Sequence, residues 1–443
     1  MIRRLFIFTA LIVALLSACS DNDSFTTDRS AGLTFSIDTL RMDTMFSAVP
    51  SSTYNFWVYN RSNDGLRIST IRLERGNQSG FRVNVDGSYL NPVATDLEVR
   101  KGDSIRVFVE VTTHENYSEK PQLVTDNLLF FLESGREEKI NLRTWAWDAE
   151  KINDLVVDHD MTIETSKPII FYGDSVRIQK GVTLTVRNTT LYFHGSTGIA
   201  VQGNLVVENS LLRGDRLDRM FTNLPYDRVD GQWSGIKVYT GGSLTMNDSE
   251  LHSSYNGIVC DSLSTATLAN SVVHNTKGHG LYAENATVKI DYCQFSNALG
   301  DCLSLMGGTA VVDHSTLAQF YPYSGNRGAA LRFNHKNKNK VTLTCTNTLL
   351  TGYNKDVMMG EPLDEEKAVY LFQNCLIRTP EIDEFKDSFQ DIIWEKEDDE
   401  YGGKKHFVLF DDVNFIYDFT IVEESPAYEK KIGRAFAEPK QEE

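Results

Sequence analysis

The chain has 443 residues, 41% of them hydrophobic, and a formal net charge of −17. That excess of acid disfavours nucleic acid and anionic lipid head groups as partners, because both carry charge of the same sign. The length is enough for two or three domains with cores of their own, and scattered cysteines without a C-x-x-C pair argue against a disulfide framework or a zinc site.

Met1-Ile2-Arg3-Arg4 is a positive start, and Leu5 to Leu16 is an apolar run of twelve residues. A membrane-spanning helix needs about 20, so the segment reads as a cleavable export signal. It ends in Leu16-Ser17-Ala18-Cys19, which resembles a bacterial lipobox and implies acyl chains on Cys19. Two or more such chains anchor a protein stably. Ser20-Asp21-Asn22-Asp23-Ser24 resembles the acidic tract that sends lipoproteins of Bacteroidota to the outer face of the outer membrane. The expectation is a signal over 1–18, a lipidated linker over 19–32, and an outer-membrane protein facing the cell exterior.

From 33 to 148 the chain alternates in short strands. Ile105, Val107, Val109 and Val111 share one face and Arg106, Phe108 and Glu110 the other, as in a half-buried antiparallel strand. Phe56 to Tyr59, Leu66 to Leu73, Phe81 to Val85 and Leu128 to Leu132 supply others, between turns such as Asn63-Asp64-Gly65 and Asp86-Gly87. About seven strands at this spacing suggest an immunoglobulin-like β-sandwich. Leu128-Leu129-Phe130-Phe131-Leu132 breaks the alternation, so both of its faces should be covered. Trp145 and Trp147 close the domain, either at a packed junction or as caps on the sandwich.

From 152 to 380 the sequence repeats. Aligning LTVRNTTL, LVVENSLL, LTMNDSEL, ATLANSVV, VKIDYCQF, AVVDHSTL, LTCTNTLL and YLFQNCLI places Val186, Val207, Met246, Leu268, Ile290, Val312, Cys345 and Phe372 in one column. Two positions on stand Asn188, Asn209, Asp248, Asn270, Tyr292, His314, Asn347 and Asn374, followed by a small residue at each repeat. The spacings are 21, 39, 22, 22, 22, 33 and 27 residues. Glycine opens a second strand at Gly198, Gly235, Gly257 and Gly280. A period near 22 without helical pattern predicts a parallel β-helix, in which each coil buries its aliphatic column only by stacking on the next. The polar column marks a bend whose Asn side chains can bond along the axis. Cys293 and Cys375 share a column three coils apart, so buried thiols are expected. After Glu381 the repeat is lost, and 381–443 is expected to form a C-terminal cap and tail.

VRIQKGVTLTV, GIAVQGNLVVENSLLRGDR and PYDRVDGQWSGIKV resemble a β-helix opening recurrent in Bacteroidota surface proteins, and Ser425-Pro426-Ala427 resembles a closing motif of such helices. The fold expected is therefore all-β: an immunoglobulin-like β-sandwich followed by a right-handed single-stranded parallel β-helix with a C-terminal cap. The resemblance implies no settled activity, because this fold hosts adhesins, lyases, hydrolases and scaffolds.

The 39-residue unit carries a projecting loop with Asp215, Arg216, Asp218, Asp227, Arg228 and Asp230, and Trp233 at its base. Three readings stand: internal ion pairs that hold the loop, a docking surface for a partner, and a calcium site built from Asp oxygens. Gly278-His279-Gly280 resembles the GHG of polygalacturonase-type hydrolases, but the accompanying Asn-Thr-Asp, Asp pair and Arg-x-Lys are missing, and Gly280 belongs to the repeat's own glycine column. With no catalytic set assembled, the sequence leads to the expectation of a protein that is not an enzyme and needs no cofactor. It would serve as a structural, binding or accessory subunit beside an outer-membrane β-barrel protein, of the barrel-assembly or nutrient-uptake type, or beside other surface lipoproteins. The alternative is a β-helix that binds or degrades polysaccharide.

Overall fold

The computed structural model describes residues 24–438. Cys19 and the export signal lie outside the described residues. Among those described, no helix is long and apolar enough to cross a membrane. The chain is all-β and divides into two compact units between Trp147 and Asp148.

The first unit is a sandwich of two five-stranded sheets. One runs in the order Leu33–Phe35, Tyr54–Asn60, Ser104–Val111, Phe81–Val85 and Ser88–Tyr89; the other in the order Thr39–Phe46, Glu137–Trp147, Gln122–Leu132, Leu66–Leu73 and Val93–Val99. Pairing is antiparallel except between Thr39–Phe46 and Glu137–Trp147. The alternation in Ser104–Val111 is realised, with Ile105, Val107, Val109 and Val111 all buried. They meet Ile68, Phe130 and Leu142 of the opposite sheet in one core. Leu128, Leu129, Phe130 and Leu132 are buried, so this strand is covered on both faces. Trp147 stacks on Phe46 at 5.8 Å and donates its indole N–H to the Glu119 carbonyl, so it caps the sandwich, while Trp145 is exposed.

The second unit is a parallel β-helix whose strands form an eleven-stranded and a seventeen-stranded sheet. The aliphatic column read from sequence is its register: Val186, Val207, Met246, Leu268, Ile290, Val312, Cys345 and Phe372 are successive partners. All eight are fully buried. The glycine column has a steric reason at Gly280, where a Cβ would stand 2.5 Å from the Cys302 carbonyl oxygen of the next coil.

Every residue of the polar column has a left-handed backbone, with φ between 38° and 51°. Asn and Asp tolerate this region because their short side chains bond locally, whereas most side chains with a Cβ resist it. Asn209 Nδ2 donates to Asn188 Oδ1 at 2.9 Å and Asn374 Nδ2 to Asn347 Oδ1 at 2.7 Å, so the expected axial bonds form. Tyr292 and His314 replace them by stacking, with centroids 4.6 Å apart and planes within 9°. The small residue that follows does more than fit. The N–H groups of Thr189, Ser210 and Ser249 donate to the hydroxyls of Ser210, Ser249 and Ser271 on the next coil, at 3.1–3.2 Å. Those three hydroxyls in turn donate to the carbonyls of Glu208, Asn247 and Ala269. The bends are thereby sewn together by a buried, fully paired ladder. Cys293 enters it as a thiol that donates to the Asp291 carbonyl, and all five cysteines of the described residues are free and buried. Burial pushes the thiols of Cys260 and Cys302 up to about 12.

Beyond the last repeat, Phe389–Gln390 and Ile393–Trp394 add one more parallel rung. The hairpin Phe407–Asp411 and Ile416–Ile421 then packs along the outer side of the eleven-stranded sheet, with Phe407, Phe419 and Ile421 against Ala318, Phe320, Leu349 and Leu376. Glu395, which is buried, fastens this return. It is paired with Arg378, accepts from His406 Nε2 at 3.1 Å, and accepts from Thr351 Oγ1 and the Gly403 N–H. Arg434 continues the return along the bends, donating to the carbonyls of Tyr292 and Asn270.

The exposed Asn270 side chain isolates the backbone requirement. Asn270→Val should destabilise the protein by about 1–2 kcal/mol, because a β-branched residue resists the left-handed region, while Asn270→Gly should be close to neutral. Chemical denaturation followed by circular dichroism distinguishes the two.

Candidate functional site

Positions on the outer face of the eleven-stranded sheet are aligned by the same register that builds the interior. Tyr192 and Arg213 are partners there, as are His252, His274, Ser296 and Ala318. Polar residues in such a column would ordinarily face water, yet Arg213, His252, His274 and Ser296 are buried. Two segments cover them: the loop inserted in the 39-residue unit and the C-terminal hairpin.

The loop holds its shape through ion pairs and one phenol hydrogen bond, each acid to a different partner. Asp215 Oδ2 accepts from His194 Nδ1 at 2.6 Å, Asp218 takes Arg216 through two bonds of 2.7 and 2.9 Å, and Asp227 pairs with Arg213 at 2.7 Å. Asp230 accepts from the Tyr321 hydroxyl. The Asp215 contact lifts the His194 imidazole above its ordinary range, whereas burial raises the Asp230 carboxyl despite its bond to Tyr321. Trp233 is 1% exposed, stacks on Phe193 at 4.3 Å and donates its indole N–H to the His252 carbonyl, so it is a core residue and not part of a docking surface. The carboxylates do not converge as a calcium site requires. Among the described residues, the acid and imidazole ligands within reach of one ion are Asp291, Asp313 and His314, none of them in the loop. Asp313 Oδ1 is already engaged by Thr346 and Asn347.

Loop and hairpin meet where Asn223 Nδ2 donates to the Val413 carbonyl at 3.1 Å, and where the Arg228 guanidinium lies 5.8 Å from the centre of the Tyr417 ring. Between them a pocket of about 240 Å³ opens onto the sheet, lined by Arg228, Glu250, His274, Gln294, Asn297 and Tyr417 among others. Its polar groups carry both signs of charge together with neutral amides. Glu250 Oε1 accepts from His274 Nε2 at 2.8 Å, and this bond holds the Glu250 carboxyl below its ordinary range against the opposing effect of burial. Behind His274 stands His252, ring centroids 5.0 Å apart, whose pKa burial drives well below 6.5.

Asn297 is the unusual member. Ser253, Asn275 and Asn297 each follow one of the partnered residues His252, His274 and Ser296, and all three have left-handed backbones. Ser253 Oγ and Asn275 Nδ2 both donate to the Asp227 carbonyl, so two rungs of this second bend hold the loop in place. The next rung has no such contact. Asn297 is 1% exposed, and its Oδ1 has no hydrogen-bond partner among the described residues. It is a buried acceptor on a residue that lines the pocket. Sequence alignment carried a few residues past each small-residue column would have brought out HSS, HNT and SNA as this second bend. Arg228 and Tyr417 have no such signal, because only folding brings them together.

His279 lies outside this pocket. Its Nδ1 accepts from the Asp301 N–H at 3.0 Å, the Asp301 carboxylate is taken by Arg332 at 2.8 Å, and burial lowers the imidazole pKa.

Residues 156–342 match the family model described as right handed beta helix region, which together with the parallel register makes the second unit a right-handed β-helix. No curated protein matches the chain. Solved structures similar to it include a family 123 glycoside hydrolase from Clostridium perfringens, 8% identical with a TM-score of 0.19, over 27% of this chain and 26% of that one. The chain thus spans about a quarter of that protein's length. The Agl-KA catalytic domain is 10% identical with a TM-score of 0.27, over 77% of this chain and 76% of that one. The catalytic unit of the GH87 alpha-1,3-glucanase from Streptomyces thermodiastaticus is 11% identical with a TM-score of 0.18, over 77% of this chain and 89% of that one. The expectation that the chain is not an enzyme does not stand beside these matches, which are hydrolases or catalytic parts by description. They assign no reaction to this chain.

Trp233→Ala should lower stability by about 3–5 kcal/mol, as for a large aromatic side chain removed from a core. A denaturant midpoint unchanged from the parent would show that the loop base is not part of the core.

Proposed function

We propose that the chain is a lipid-anchored protein of the bacterial cell envelope, with an immunoglobulin-like sandwich ahead of the β-helix, and that it takes a saccharide in the pocket between loop and hairpin. The anchor is supported by Leu16-Ser17-Ala18-Cys19, which resembles a lipobox, and by the acidic tract after it. The observation that carries the ligand class is Asn297, a residue that lines the pocket beside Arg228, Glu250, His274 and Gln294 and whose buried Oδ1 has no partner among the described residues. Leaving such an acceptor unmet costs about 1–3 kcal/mol, a cost that a hydroxyl of the ligand removes. A sugar ring presents several hydroxyls that each donate and accept, which suits a wall with charges of both signs and amides. At about 240 Å³ the pocket is below the ~300–1,000 Å³ of drug-sized sites, so one ring at the end or side of a chain is the unit it fits.

The test is calorimetric titration of the detergent-solubilised protein with a panel of soluble oligosaccharides, reducing-end release being followed in parallel. A bound oligosaccharide should bind at least about tenfold more weakly to Asn297→Ala. Because the Glu250 carboxyl is held below 4.5 by His274, binding should persist through that pH and fall only as the depressed pKa is crossed on further acidification. Equal affinity in Asn297→Ala would remove the pocket from the ligand's path.

A second reading has its own observation. The two hairpins joined at Asn223 and Val413 expose apolar side chains at their tips, Phe221 at 65% and Val413 at 71%. Such tips suit a protein partner, and the expected one is an outer-membrane β-barrel protein or another surface lipoprotein. A partner that copurifies with the tagged wild type from detergent extracts should be lost from the Phe221→Asp/Val413→Asp variant; recovery of the same partner by both would rule out these tips.

A further inference from the structure

We propose that the first unit holds a second saccharide site, independent of the β-helix pocket, and that its ligand is an uncharged oligosaccharide. A cleft of about 690 Å³ lies beside the strand Phe81–Val85, lined by Arg82, Tyr89, Asn91, Thr113, Glu115 and Tyr117 among others. It falls within the ~300–1,000 Å³ of small-molecule sites and has room for more than one sugar ring.

Three features select the ligand. First, Tyr117 is 91% exposed and Tyr89 is 55% exposed. More than half of each residue's surface is thus open to solvent beside the cleft. A tyrosine offers a flat apolar face and a polar tip, which matches a sugar ring with its C–H face and hydroxyl edge. Second, Thr113 is 2% exposed and its Oγ1 has no hydrogen-bond partner among the described residues. A hydroxyl buried in the wall of a cleft without a partner is a standing cost that a ligand hydroxyl relieves. Third, the charges in the lining are balanced. Arg82 and Glu115 are one of each sign, and the Arg82 guanidinium is already held by Thr112 Oγ1 at 3.0 Å and Glu110 at 3.4 Å. A phosphate or an acidic sugar would find no concentrated positive charge, whereas a neutral polyol needs none.

Affinity electrophoresis of the detergent-solubilised full chain tests this, in native gels containing dextran, laminarin, xyloglucan or galactomannan, with polygalacturonate as the charged control. At least one uncharged polysaccharide should retard the protein. Affinity for it should fall about tenfold in the Tyr89→Ala/Tyr117→Ala variant and several-fold in Thr113→Val, whether or not Asn297 is intact. Both tyrosines are exposed, so their loss leaves the fold in place, and a circular dichroism melt confirms it. Unchanged retardation in the tyrosine variant, or retardation by polygalacturonate alone, overturns the proposal. So does capture of an extended peptide by this cleft with no polysaccharide retarded. Retardation that depends on Asn297 and ignores the tyrosines overturns it too, while leaving the β-helix pocket's reading intact.

Discussion

The second unit depends on one bend. At each coil the chain turns through a residue with a left-handed backbone, and the N–H just beyond the turn must find an acceptor in a place that water does not reach. The hydroxyls of Ser210, Ser249 and Ser271 answer this, each accepting from the coil before and donating within its own. A slip of one residue would turn the buried aliphatic column outward, and it would also break a ladder of hydroxyls paired on both sides. The bend therefore sets register for everything attached to it.

Register then creates the outer columns. His252, His274 and Ser296 stand in line because Leu251, Val273 and Phe295 do so inside. Ser253 and Asn275, on the second bend, catch the Asp227 carbonyl and seat the inserted loop, whose acids are each matched by a different cation or phenol. The C-terminal hairpin covers the remaining outer face through Phe407, Phe419 and Ile421 and is fastened by the buried Glu395 cluster. Asn297 lies beneath the seam between the two covers, buried and without a partner for its Oδ1 among the described residues, and the pocket opens at that seam.

The charged loop is a conspicuous sequence feature whose charges are matched within the protein. Four acids and neighbouring arginines, with a tryptophan at the base, fit internal pairing first, a partner second and an ion third. The structure pairs every acid internally and turns Trp233 into the core against Phe193. The unmatched polar group instead lies on an unremarkable stretch, Phe295-Ser296-Asn297, that local composition does not mark.

Taken alone, the sequence determined what repeats. The aliphatic column from Val186 to Phe372 and the polar column from Asn188 to Asn374 were legible because side chains inside a solenoid recur at the period of the coil. The sandwich strand Ser104–Val111 was legible for the related reason that burial on one face alternates with period two. Only the tertiary structure decided which outward positions are covered, because covering is done by segments far away in the chain. Arg228 and Tyr417 reach Glu250 and Asn297 through a loop and a returning hairpin. Tyr89, at the end of an edge strand, and Tyr117, in the connection after Ser104–Val111, line one cleft of the sandwich. Such neighbours share no period, and contact between them is settled by packing.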